Sequence, residues 1–145
     1  MIHVEMDQTR ITDDNNYIIG TNALATCIGV LVYSKEHKVA IVSHVATNPE
    51  LKFMDILNFI VDYKLDTSIL EYKIIKGFYE NKYNLDFTLE QLFKNYPQLF
   101  KASDIKEKVM FDDKTNSNEF IFDASKGMFI ESDYDNMKKN ILKDK

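Results

Sequence analysis

Cys27 is the only cysteine in a chain of 145 residues, and His44 is one of three histidines. They bound the stretch CIGVLVYSKEHKVAIVSH. A thiol and an imidazole are the minimal parts of a nucleophile and its base. A free thiol is mostly protonated at neutral pH. A neighbouring imidazole can take its proton and leave a strongly nucleophilic thiolate. The same imidazolium can then protonate a departing amine. The ring needs a third group to fix it, and a hydroxyl or carboxamide can do this. Thr21, Asn22, Thr26 and Ser43 are the nearby candidates. The competing reading is a small apolar filler, because free Cys is among the most buried residue types. On residue types alone the filler reading comes first.

The pair can meet only if the flanking segments are adjacent strands. IGVLVY is short, apolar and β-branched, as expected of a largely buried strand. SKEHK is a polar turn, and VAIVSHV is a second strand of the same kind. A hairpin that pairs Tyr33 with Lys38 across a four-residue loop sets Cys27 directly opposite His44, with Cβ atoms about 5 Å apart. A slip of one residue would send the two side chains to opposite faces. Thr21 is too far from Cys27 along a straight strand, at about 3.3 Å per residue. It could take part only if the chain bends, as Gly20 and Asn22 permit.

Further along, Asn48, Pro49 and Glu50 read as a helix start: a capping side chain, a proline in the first turn and early negative charge. Phe53, Ile56, Leu57, Ile60 and Val61 follow at helical spacing on one face. EYKIIKGFY returns to strand character, and TLEQLFKNY reads as a short helix ending near Pro97. KVMFDD, EFIFDA and MFIES read as strands, with KTNSN and SKG as turns. The tail, residues 132–145, reads as a weak, fraying helix. Strands joined by short turns and mixed with helices predict an α+β fold: a largely antiparallel sheet packed with helices in a layered sandwich. The length suits one domain, residues 1–145, with a core of its own.

The totals exclude several function classes. A formal net charge of −5, with no dense Lys/Arg stripe, argues against nucleic acid as a partner. One cysteine forms no internal disulfide and no thiolate metal cluster, and it suits a reducing compartment. His37 lies in a charged turn and His3 near a terminus, so both read as solvated. Asp112, Asp113 and Asp123 read as turn or strand-end residues rather than metal ligands. Asp13, Asp14, Asn15 and Asn16 read as a loop. Tyr72, Phe78, Tyr79 and Tyr83 read as sheet packing rather than a base-stacking platform. No apolar h-region or membrane-length run is present, so membrane insertion is not expected. The expected location is the cytoplasm, or outside the cell by a leaderless route.

At TNALATC and the hairpin after it, the sequence resembles the chemoreceptor glutamine deamidases of the CheD type. That family carries a Thr, a Leu three residues later and the catalytic Cys after a small pair, then two strands ending in the catalytic His. Thr21, Leu24, Cys27 and His44 stand at matching spacing. NEFIFDASKGMFIES is similar to the family's closing hairpin. The match is firm over residues 20–46 and loose over 105–131. The family's Gly-Ser before the Cys is replaced by Ala25 and Thr26. Ile41, Val42 and Ser43 replace its glycine-rich approach to the His, and of its central glycine segment only Gly77 remains. The wider superfamily includes the cytotoxic necrotizing factors. The resemblance implies a protein-glutamine deamidase with Cys27 as nucleophile, His44 as base and Thr21 orienting His44. It also implies no metal or organic cofactor and a protein partner bearing an exposed glutamine, either a chemoreceptor or a host protein. The alternatives are a catalytically silent binding module of the same fold, a toxin-like effector, and a transglutaminase-like or peptidase activity.

Overall fold

A computed structural model of the protein describes residues 1–46, 49–75, 77, 94, 118–131 and 133–143. In chain order the elements are β1 (Ile2–Val4), β2 (Thr9–Ile11), β3 (Ile18–Leu24), β4 (Ile28–Ser34), β5 (Val39–Val45), α1 (Pro49–Asp62), β6 (Glu71–Ile75), β7 (Asn118–Asp123), β8 (Met128–Ile130) and α2 (Tyr134–Lys143). A 3-10 turn, Thr67–Ile69, precedes β6 and is capped by the Asp66 carboxylate. The strands form two four-stranded sheets, in the orders β1-β3-β7-β8 and β2-β5-β4-β6. Among the described residues all strand pairings are antiparallel except β1 with β3.

The alternation of side chains along β4 sets the layers. Ile28, Val30 and Val32 face α1, where they meet Phe53, Ile56 and Ile60. Leu31 and Tyr33 face the other sheet and pack with Ile19, Phe120 and Phe122. Both faces of β4 and β5 are therefore covered, and every residue of both strands is buried. This is why their sequences are nearly continuous apolar runs. The outer face of the β1-β3 sheet carries Tyr134 of α2, whose hydroxyl bonds His3 Nδ1 at 2.6 Å. The architecture is α+β, a largely antiparallel sandwich of two sheets with helices against it.

The hairpin β7–β8 is closed by Gly127 at φ +65°, a conformation that favours glycine. The Tyr33 ring occupies the space a Cβ there would need, and the Tyr33 hydroxyl donates to Ala124 O at 2.9 Å. The Asp123 carboxylate accepts from Ser125 N and Oγ and fixes the same turn.

Several expectations change. The buried line of α1 is Phe53, Ile56 and Ile60, and Val61 is 71% exposed. One residue advances about 100° around a helix, which carries Val61 off the covered face. β1 and β2 are three residues each, too short to leave a periodic signal. His3, expected to be solvated, is half-buried against Tyr134. The helix expected at TLEQLFKNY lies outside the described residues apart from helical Lys94. KVMFDD, KTNSN apart from the β7 end, Phe78, Tyr79, Tyr83, Asp112, Asp113 and the cap at Asn48 also lie outside them. Among the described residues no helix is long and apolar enough to cross a membrane.

Candidate active site

The β4–β5 hairpin pairs Ser34 with Val39 and Tyr33 with Ala40, two residues away from the expected register. The turn takes Lys35 to Lys38. Lys38 adopts φ +53°, and the Ser34 hydroxyl accepts from His37 N at 3.3 Å. His44 consequently stands opposite Gly29 rather than opposite Cys27. A two-residue shift preserves the face. Cys27, one residue before β4, is a diagonal neighbour of His44 on the side that looks into the space between the sheets. Diagonal positions are about 7–8 Å apart, so the thiol lies farther from the ring than the expected pairing would put it.

The ring itself is tightly held. His44 is 2% exposed and Thr21 is fully buried. Thr21 Oγ1 donates its single proton to Val4 O at 2.7 Å. Its 2.7 Å contact with His44 Nδ1 is therefore one in which the ring donates and the hydroxyl oxygen accepts. This places a proton on Nδ1 and leaves Nε2 of the neutral ring as an open base. Nε2 is buried and has no hydrogen-bond partner among the described residues. A buried acceptor without a partner costs on the order of 1–3 kcal/mol, so its persistence calls for an explanation.

Thr21 reaches the ring across the gap between the sheets, from β3. The bend that lets Thr21 and Cys27 serve one site lies later than Gly20 and Asn22. The β3–β7 ladder shifts between Thr21 and Leu24, Ala23 adopts φ +56°, and Ala25 N bonds Ala23 O at 3.0 Å. The chain then enters β4 through Cys27. Of the other candidate orienters, Ser43 points to the opposite face of β5 and bonds Thr9 at 2.8 Å. Thr26 is exposed and Asn22 half-buried.

Cys27 is half-exposed and packs against the inter-sheet core. Burial pushes its thiol up, the Asp7 charge adds to that rise, and a hydrogen bond with Thr26 opposes it. Burial also pushes the His44 imidazolium down, while Asp7 raises it and His3 lowers it further. The resting pair is a protonated thiol and a neutral imidazole, so the thiolate must form during attack.

Asp7, His3 and Gly77 bear on the site, and none of them stood among its candidate residues. Asp7, at φ +62°, donates its backbone N–H to His44 O at 2.9 Å and accepts from Ala46 N at 3.1 Å. His3 acts on His44 through its charge. Gly77 lies directly against the carbonyls of Ala25 and Cys27, where a Cβ could not fit. The only sequence signal for any of them is the glycine itself.

A separate cavity of about 230 Å³ lies at the turn end of the hairpin, lined by Thr12, Asp13, Asp14, His37, Val39, Tyr63 and Leu65. It is at the far end of β4 and β5 from Cys27. Among the described residues no three His, Cys, Asp or Glu side chains converge as metal ligands. No family model matches the chain, and no curated protein matches it.

Proposed function

We propose that the protein is a cysteine-dependent protein-glutamine amidohydrolase of the CheD type, converting glutamine side chains of a protein partner to glutamate. The observation that carries this reading is the state of His44. A buried ring is locked by Thr21 at Nδ1 and keeps a bare Nε2 on the face it shares with Cys27. That is the tautomer a general base needs.

In this mechanism Cys27 Sγ attacks the carboxamide carbon while its proton passes to His44 Nε2. The C–N bond then breaks as Nε2 returns the proton to the leaving nitrogen, which departs as ammonia. Water attacks the thioester and gives a proton to Nε2, the C–S bond breaks, and the thiol is restored. Closure of the thiol–imidazole distance accompanies substrate binding, since such contacts tighten in the bound complex. The Cys27 backbone N–H is the proposed oxyanion donor. The product carries one more negative charge than the substrate, enough to alter a surface or site of the target. A chemoreceptor or a host protein would serve as partner, with the enzyme acting in the cytoplasm or after leaderless export.

A catalytically silent binding module is the second reading. The raised thiol and the absent thiol–imidazole hydrogen bond favour it. The test is capture of partners from a lysate with Cys27→Ala, followed by ammonia release when those partners meet the wild-type protein. Release that depends on both Cys27 and His44 supports the enzyme. Stable capture with no release supports the silent module.

A further inference from the structure

We infer that Asp7 is a positioning residue for this site, clasping the end of β5 that carries His44 through its backbone N–H and its carboxylate. The inference rests on the deamidase reading for what the clasp serves, but its geometry stands by itself.

The turn between β1 and β2 grips β5 through three bonds around one residue. His44 N donates to Gln8 O at 3.0 Å, Asp7 N donates to His44 O at 2.9 Å, and Ala46 N donates to Asp7 Oδ1 at 3.1 Å. The first two fix the His44 peptide on both sides. The third ties down the chain just beyond β5, where the sheet ladder ends at Val45. Asp7 makes these contacts at φ +62°, a sparsely populated conformation for a residue other than glycine. Asp is among the few residues that tolerate it.

The position also carries an electrostatic consequence. Asp7 bears on both reacting groups, favouring protonated His44 and disfavouring thiolate Cys27. His44 is faced by Thr21 from β3, and the charges that bear on it are Asp7 in the turn and His3, whose ring points outward from β1 to Tyr134. Cys27 is faced by Asp7 and Thr26. Asp7 thus opposes the lowering that burial imposes on His44 and favours a proton on its ring. It also adds to the rise that burial imposes on the Cys27 thiol, and a protonated thiol reacts more slowly with oxidants and alkylating agents.

The test uses the whole protein and needs no substrate. Asp7→Asn removes the charge and keeps an acceptor for Ala46 N, and Asp7→Ala removes both. In Asp7→Asn, two titrations should move to lower pH: the His44 ring by NMR, and Cys27 read as iodoacetamide alkylation rate against pH. Ala46 amide exchange should stay slow in Asp7→Asn and speed up about tenfold in Asp7→Ala, the loss of one hydrogen bond. An unmoved His44 titration in Asp7→Asn, or unchanged Ala46 exchange in Asp7→Ala, overturns the inference. If Asp7→Ala does not fold, the Asp7→Asn titrations decide alone. None of these readouts involves ammonia release, so failure of the deamidase reading would leave them intact.

Discussion

At the scale of single residues, the decisive contact is Thr21 with His44. Thr21→Ala leaves Nδ1–H buried without an acceptor, which should cost about 1–3 kcal/mol of stability. It also frees the ring to rotate or change tautomer, and misplacement of a catalytic group can lower turnover by about a hundredfold. Thr21→Ser keeps the hydroxyl and should recover most of both. Ser43→Ala, on the opposite face, should leave turnover nearly unchanged; an equal loss there would count against the specific role of Thr21. Stability against pH gives a second check. Folding holds His44 below its ordinary value of 6.5, so below that pH the unfolded chain binds more protons. Stability should therefore be lost as pH falls through this range. His3 is lowered too, by burial first and then by Lys138, so His44→Gln should flatten the slope without abolishing it. Chemical denaturation on either side of pH 6.5 reads this out. Cys27 and His44 could be nominated from residue type and spacing, whereas Thr21 was one of four candidate orienters until the family resemblance singled it out. Asp7 could not be nominated, because its role depends on two backbone bonds and a positive φ that no side-chain pattern announces.

At the scale of elements, the hairpin shows what patterning does and does not convey. The apolar runs of β4 and β5 identified both strands and their shared buried faces. The register did not follow, because it depends on where the turn closes, and Lys38 enters the turn at φ +53° instead of pairing. The shift of two residues kept Cys27 and His44 on one face but made them diagonal. α1 was legible from its spacing, except for Val61, which lies one residue, about 100°, around the helix from buried Ile60 and so leaves the covered face. Phe53→Ala should cost about 3–5 kcal/mol in a denaturant titration, from lost burial and a residual cavity. Val61→Ala should cost little, since Val61 is already exposed. The loop at Cys27 offers a more specific test. Gly77 touches the Ala25 and Cys27 carbonyls, so Gly77→Ala must displace that backbone. Thiol reactivity should change more in Gly77→Ala than in Val61→Ala, as measured by alkylation in the native state.

At the scale of the molecule, the proposed activity is expected to fall on a folded protein rather than on a free amino acid. Free glutamine needs charged groups to hold its ammonium and carboxylate, usually with a convergent Arg. The chain has one arginine, Arg10, and its guanidinium is engaged with His3 O at 3.1 Å. Around Cys27 the chain presents small or apolar residues instead: Ala23, Ala25 and Ala46, with exposed Met6 beside Asp7. Remote contacts with a folded partner would supply the binding energy that closes the thiol onto His44. Free glutamine and short peptides should therefore be poor substrates. The central claim is tested most directly by mass spectrometry of proteins captured with Cys27→Ala and then treated with the wild-type protein. The expected result is an amide-to-acid mass gain at a single glutamine, absent with Cys27→Ala and with His44→Ala. A gain that persists without Cys27, or captured partners whose glutamines stay unchanged, would contradict it.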